Sequence, residues 1–347
     1  MTRKMATIRK IEEVKAIPNA DRIVAYRVGG WWVVDSLDKY VVGDLVVYAE
    51  PDSFIPTTIA PFLTKPGQYA KTFEGVEGER LRTVSLRKTV SQGLLLPISI
   101  LDQFDLTDCG DKVRPENLVV GDDVSELLGI VKFEQAVPAE LAGEVKGMFP
   151  SQIPKTDQER IQNLTAELKE WLCSGLTWEV TEKLDGASMT VYAIDGEIGV
   201  CSRNLDLKHN IDNSLWRAAI KYGLEEKLVA CGRNIAIQGE LIGNGIQGNI
   251  YKMRDQDFYV YDIYDIDAGR YFTPKERVRF VTGHQLNHCP VLMPHVEFDT
   301  ETAESLLTMA EGETAMLTSN GQREGLVFKC HEQQVSFKAI SNAFLLN

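Results

Sequence analysis

What most constrains this chain is the recurrence, over its first 125 residues, of short strand-like runs closed by glycine turns. Ile23 to Val28 is followed by Gly29-Gly30 and Trp31 to Val34, Gly43-Asp44 precedes Leu45 to Tyr48, and Gly93 precedes Leu94 to Leu96. Runs rich in β-branched and aromatic residues, broken this often by glycine, favour short antiparallel strands that close into a small barrel. From about Asp122 to Lys155 the pattern fades among Pro138, Gly143, Gly147, Pro150 and Pro154, which reads as a linker. Thr156 and Glu159 then have the spacing of a capping box, which predicts a helix through IQNLTAELKEWL to about Cys173. The expected organisation is a barrel over 1–125, a linker over 126–155 and a second domain over 156–347.

The second domain is expected to be α+β. Strand patterns run through WEVTEK, SMTVYAI, EIGVCSR, IAIQGELIG, FYVYDIYDI, EGLVFKC and VSFKAI, with a hairpin turn at Asp195-Gly196. Helices are predicted from Asn213 to about Ala230, and from the N-cap Thr273 with Pro274 in the first turn to about Gln285. Composition agrees with a packed fold: 44% hydrophobic and 25% charged residues in 347 exclude disorder as the main theme. No apolar run reaches the roughly 20 residues that span a bilayer, and the N-terminus has no signal-like apolar stretch, so a cytoplasmic or nuclear protein with no membrane partner is expected.

Net charge is 37 minus 50, or −13, which argues against a uniformly basic surface. Residues 1–125 carry 16 Lys/Arg and 18 Asp/Glu, so the acidic excess lies mainly in the rest of the chain, which holds 21 and 32. Arg80, Arg82, Arg87 and Lys88 form a local basic cluster interleaved with Leu81, Val84 and Leu86, as on a strand with one wet face; it suits either solvent or phosphate. The six cysteines (Cys109, Cys173, Cys201, Cys231, Cys289, Cys330) contain no C-x-x-C pair and read as reduced thiols. His284, His288, Cys289 and His295 form a weak metal-ligand pattern, with packed or exposed side chains the better-supported alternative.

The chemistry-bearing string is Glu182-Lys183-Leu184-Asp185-Gly186. A lysine at a strand end before a glycine turn can present its amine into a cleft, although K-x-D-G arises by chance about 0.08 times in a chain of this length. Four further strings follow in order: Ser202-Arg203-Asn204; Gly239-Glu240-Leu241, 57 residues beyond Lys183; Tyr259-Val260-Tyr261-Asp262; and Glu324 to Lys329 paired with Val335 to Lys338. Strand alternation predicts Glu324, Leu326 and Phe328 on one face and Lys329 on the other.

This ordered set resembles motifs I, Ia, III, IIIa, IV and V of ATP-dependent polynucleotide ligases and capping enzymes. Over almost the whole chain it is similar to the Deinococcus-type ATP-dependent RNA ligase family, also called RNA ligase 5. The resemblance implies an N-terminal OB-like barrel followed by an antiparallel-sheet nucleotidyltransferase domain of ATP-grasp-like ligase type. It implies that Lys183 takes AMP from ATP, that Glu182 recognises adenine and Tyr261 stacks on it, and that Asp185 and Gly186 complete the nucleotide loop. Arg203 would contact phosphate or a 3′-OH end, Glu240 the ribose or a metal-bound water, and Glu324 a divalent Mg2+ or Mn2+. Lys329 and Lys338 would meet the α-phosphate and lower the pKa of Lys183. Family members often carry two lysines two apart in motif V, whereas here Ser336 and Ile340 flank Lys338.

The implied activity joins RNA 3′-OH and 5′-phosphate ends, through lysyl-AMP and a 5′-adenylylated polynucleotide, at nicks in a duplex with RNA on the 3′-OH side. A DNA ligase or mRNA capping guanylyltransferase is the alternative enzyme, and a non-catalytic RNA-binding protein the alternative of another class. Nine residues after Lys338, with the OB-like segment in front, favour RNA ligation. The expected chain works as a monomer on nucleic acid, with Arg80, Arg82, Arg87 and Lys88 as candidate contacts.

Overall fold

The computed structural model describes residues 3–104, 118–134, 143–316 and 321–347. Contacts divide the chain into two compact units, Met1–Ala136 and Val137–Leu345. The first unit is built from short antiparallel strands, as the glycine punctuation predicts. Leu45–Ala49 is the centre of one sheet, between Ala6–Lys10 and Leu94–Pro97, while Ile23–Val28 pairs with Glu13–Ala16 and Trp31–Ser36. Their inward residues, among them Tyr26, Val28, Trp31, Val33, Val46 and Tyr48, form one buried cluster. Gly93 shows why glycine is needed between such strands: its φ is +94°, and a Cβ there would sit 2.4 Å from the Ala49 carbonyl oxygen.

The run from Arg80 to Lys88 is not one strand. Val76–Arg80 pairs with Ser53–Pro56, and a separate hairpin joins Val84–Leu86 to Thr89–Ser91. Leu81 is buried, but Val84 and Leu86 are exposed on that hairpin, whose turn residues Arg87 and Lys88 both have positive φ.

In the second unit two sheets each carry helices on one face. One sheet has the order Val145–Met148, Leu205–Leu207, Glu197–Cys201, Ala187–Ile194, Ile235–Gly243, Gln256–Asp265, Arg270–Tyr271, with Asn287–His288 also pairing Gln256–Asp265. The other has the order Glu159–Arg160, Val335–Ile340, Gly325–Cys330, Thr177–Lys183, Val291–Glu297. Met189, Val191, Ile235, Ile237 and Leu241 pack against Trp216, Leu228 and Val281 of the helices Ser214–Lys221, Leu224–Cys231 and Pro274–Gly283. Trp178, Val180, Leu326, Phe328 and Phe337 pack against Leu168 of Thr165–Leu172 and Leu306 of Ala303–Ala310. The remaining face of the first sheet is covered in part by Ile153 and Phe149, packed on Tyr192, Cys201 and Ala236.

Three boundaries differ from the sequence reading. Residues expected as linker contribute to both units: Val131–Lys132 pairs with Ser53–Pro56 in the first, and Val145–Met148 pairs with Leu205–Leu207 in the second. The helix expected from Thr156 starts at Thr165, because the Glu159 carboxylate accepts from the Arg160 amide at 2.7 Å and Glu159–Arg160 pairs in parallel with Phe337 and Lys338. The expected helix after Asn213 is broken by Gly223, whose φ of 57° ends one helix and opens the next. Cys109 lies outside the described residues, and the other five cysteines are free thiols.

Candidate active site

Lys183 ends the strand Thr177–Lys183, opposite Gly325, on the face that Leu326 and Phe328 do not share. Its Nζ donates to Glu324 Oε2 at 2.7 Å. Glu324 stands just before the strand Gly325–Cys330 and so escapes the alternation that was expected to group it with Leu326 and Phe328. The turn after Lys183 is fixed by the Asp185 amide, which donates to the hydroxyl of fully buried Tyr251 at 2.7 Å. Gly186 lets this turn lie against the strand Ile235–Gly243: a Cβ there would be 2.4 Å from the Leu241 carbonyl oxygen and 2.9 Å from Glu240 Cγ. Lys183, Asp185, Glu240 and Glu324 are thereby brought together.

Their charges are unequal. Burial works against the Lys183 ammonium, but Glu324, Glu240 and Asp185 outweigh it and hold the pKa above its ordinary value. Burial pushes Glu240 up to about 8, with Glu324 and Asp185 adding repulsion against the pull of Lys183. Burial and the Glu324 charge raise Asp185 to about 6. Glu182 is also raised by burial; its carboxylate accepts from the Thr314 hydroxyl at 2.5 Å and the Ala315 amide at 2.7 Å. Asp185, Glu240 and Glu324 present carboxylate oxygens of the kind hard divalent cations prefer, close enough to repel one another.

Further along, Gln256–Asp265 carries a bulge: Gln238 faces Asp262 and Gly239 faces Val260, leaving Tyr261 as the extra residue. The parity of the strand changes there. Phe258, Val260 and Ile263 all enter the helix-covered core, so adjacent Tyr261 and Asp262 both avoid it. The Tyr261 hydroxyl lies 2.9 Å from Thr156 Oγ1, and Lys329 Nζ lies 5.6 Å from the ring centroid. Lys329 is buried, donating to the Tyr261 carbonyl at 2.9 Å and pairing with Asp262 at 2.8 Å.

Behind Lys329 is a network that sequence reasoning missed. Fully buried Arg277 donates from Nη2 to both oxygens of Glu179 at 2.6 Å, lies 3.6 Å from Asp262, and donates from Nε to His288 Nε2 at 2.8 Å. Because His288 Nε2 accepts, the ring proton is on Nδ1, which donates to the Cys289 carbonyl at 2.6 Å. Burial, then Arg277, keep His288 below its ordinary pKa. Burial opposes ionisation of Glu179, yet His331 and Arg277 bring it down to about 2. Arg277 looked in the sequence like an ordinary helix residue; the clue was a cation three residues into a capped helix at a core-facing spacing.

One expectation is corrected here. Lys329 was to lower the Lys183 pKa and meet the α-phosphate, but its ammonium is committed to Asp262 and Tyr261, four strand residues from Gly325, or about 13 Å at about 3.3 Å per residue. Lys338 stands opposite Val327, two residues nearer to Lys183. The His284, His288, Cys289 and His295 pattern does not assemble: His284 stacks on Phe280, His288 serves Arg277, and among the described residues no group of His, Cys, Asp and Glu forms a ready metal cage.

Arg203 donates to Asp157 at 2.5 Å, and Asn204 accepts from Lys155 at 2.8 Å. A cavity of about 160 Å³ opens beside them between Thr156, Asp262, Arg270, Lys329 and Ser336. In the first unit the basic cluster divides. Arg80 is bound to Asp52 at 2.6 Å and lies 5.1 Å from the Phe133 ring centroid, while Arg82, Arg87 and Lys88 are exposed. Among the described residues no helix is long and apolar enough to cross a membrane.

A family model described as RNA ligase matches residues 176–340, and an OB-fold domain model matches residues 5–98. Solved structures of Naegleria gruberi RNA ligase are similar over nearly their full length. An apo mutant is 44% identical with a TM-score of 0.86, and a mutant with AMP and Mn is 44% identical with a TM-score of 0.87. The form with pyrophosphate is 43% identical with a TM-score of 0.85; each comparison covers 99% of this chain and 98% of the other. No curated protein matches the chain.

Proposed function

Because this chain belongs to the RNA ligase family, with an OB-fold domain ahead of a sheet-rich ligase domain, we propose that it seals RNA 3′-OH to 5′-phosphate ends with ATP, through a covalent adduct on Lys183. The observation that carries this reading is the lysine amine at a strand end, bonded to Glu324 and faced by Asp185 and Glu240. Support also comes from the Naegleria enzyme, whose structures hold ATP, AMP and Mn.

In the first step the Lys183 amine attacks the ATP α-phosphorus, the N–P bond forms, and pyrophosphate leaves. The amine must first lose a proton, and Glu324 already accepts from Nζ. Glu240 and Glu324 would hold a divalent cation, Mg2+ or Mn2+. Held there, it would supply positive charge to phosphate oxygens, and the two carboxylates that hold it would grip the Lys183 ammonium less. Lys338 is the lysine assigned to the α-phosphate. Tyr261 is the platform for the purine, with Glu182 at the base, and Asp185 and Gly186 close the nucleotide loop. Arg203 exchanges Asp157 for a phosphate or the 3′-OH strand. A 5′-phosphate then takes AMP from Lys183, and the 3′-OH displaces AMP to close the strand. The preferred substrate is a duplex nick with RNA on the 3′-OH side, bound by one chain, with Arg82, Arg87 and Lys88 on the backbone.

The test is incubation with α-labelled ATP or GTP and a divalent metal, followed by denaturing electrophoresis of wild type and Lys183→Ala. ATP label that survives denaturation in the wild type alone is expected. Label from GTP alone would make the chain a guanylyltransferase, and label from neither would leave a binding protein.

A further inference from the structure

The segment Pro154 to Asp157 lies outside the strings that carry the nucleotidyltransferase resemblance, yet each of its residues bonds a strand or turn that carries a site residue. The Pro154 carbonyl accepts from Gln238 Nε2 at 2.9 Å, Lys155 donates to Asn204, Thr156 bonds Tyr261, and Asp157 accepts from Arg203. Thr156 has the most direct consequence. Tyr261 is the extra residue of a bulge, so the ladder that fixes its neighbours does not fix its backbone, and the ring direction depends more on what the side chain meets. One face of the ring lies under Lys329, and the phenol end is held at 2.9 Å by Thr156 Oγ1, with Ser188 also in reach of the hydroxyl. A phenol removed from water needs such a partner.

We propose that Thr156 is a positioning residue for nucleotide binding: by bonding the Tyr261 hydroxyl it holds the ring at the angle at which the ring stacks on the purine. This rests on the assignment of Tyr261 as the purine platform. Thr156 touches the ring and not the reacting atoms, so its loss weakens nucleotide saturation and leaves the chemical step alone.

The experiment is single-turnover formation of lysyl-AMP against ATP concentration, for wild type, Thr156→Val, Thr156→Ser, Tyr261→Phe, the Thr156→Val/Tyr261→Phe double variant and Tyr261→Ala. Thr156→Val and Tyr261→Phe are each expected to raise the half-saturating ATP concentration roughly three- to tenfold, the effect of one lost hydrogen bond. The maximal rate stays within about twofold, the double variant is no worse than either single one, and Thr156→Ser behaves as wild type. Additive effects, a reduced maximal rate with unchanged saturation, or a Thr156→Ser variant as weak as Thr156→Val would each overturn the proposal. Tyr261→Ala separates the two readings. If it saturates normally, the purine platform itself is wrong; if it binds ATP poorly while Thr156→Val is normal, only the role of Thr156 fails.

Discussion

At one end Lys183, with Arg203 adding a weaker pull on Glu240, faces three carboxylates, Asp185, Glu240 and Glu324, whereas about 13 Å along the same strands Glu179 and Lys329 meet Arg277 and Asp262 in a balanced set. The first group is reachable by solvent, with side-chain exposures of 25% for Lys183 and 15% for Glu324; in the second, Arg277 and Glu179 are at 0% and 3%. A buried set of charges survives folding only when it is balanced and hydrogen-bonded. An unbalanced set persists where something else completes it. The comparison therefore separates the proposed reacting end, where carboxylates outnumber cations, from a balanced end that holds Tyr261, the proposed purine platform.

Exchanging a charge at each end should break activity at one and stability at the other. Lys183→Met removes the proposed nucleophile, and lysyl-AMP formation is expected to fall by more than about 10³-fold, while the urea midpoint moves little. Arg277→Met leaves Glu179 and Asp262 buried with one cation between them, and is expected to lower unfolding free energy by about 3–5 kcal/mol. Urea titration of both variants checks the pair. A Lys183→Met protein destabilised as strongly as Arg277→Met would erase the distinction.

Gly186→Ala sharpens the comparison without changing charge. The added Cβ meets the Leu241 carbonyl oxygen and Glu240 Cγ, so the turn after Lys183 must move away from Glu240. A displacement of about 1 Å between reacting groups can cost roughly 10²-fold in rate, and a loss of that size is expected in lysyl-AMP formation. The buried quartet should be untouched, and near-wild-type urea unfolding would show it.

What was legible in the sequence was what strands keep local. Lys183, Asp185 and Gly186 sit within four residues, so their string reads directly, and Glu240 and Glu324 were singled out because one lies within and the other just before a strand with a recognisable pattern. The glycine-punctuated first unit was legible for the same reason. Glu179 and Arg277 were not, since they meet across 98 residues and each alone looks like a surface charge. The bulge at Tyr261 was hidden too: FYVYDIYDI alternates well enough to suggest an unbroken strand, and only the pairing with Gln238 and Gly239 shows the change of parity. Thr156 misled in the opposite direction, because its spacing to Glu159 imitates a capping box while its hydroxyl is bound to Tyr261.

The smallest effect is also the most diagnostic, because the two ends should respond to pH with opposite sign. At the reacting end, Glu240 is raised to about 8 and Asp185 to about 6, so between their ordinary carboxyl values and these the folded chain holds protons that the unfolded chain has lost. Their contribution is present at low pH and disappears as pH rises through about 6 to 8. At the structural end Glu179 is lowered to about 2, so its contribution is present above the ordinary value and disappears as pH falls towards 2. Glu240→Gln should therefore flatten only the alkaline flank of Tm against pH, raising Tm by roughly 2 °C at pH 8 and leaving it unchanged near pH 4.5. Manganese should narrow the same flank in the wild type and do less in Glu240→Gln, because the cation and the bound proton relieve one repulsion. Thermal unfolding from pH 3 to 9, with and without manganese, measures both effects. A variant whose Tm falls equally at pH 4.5 and 8 would show that Glu240 is held by its packing and not by an excess of negative charge waiting for a cation.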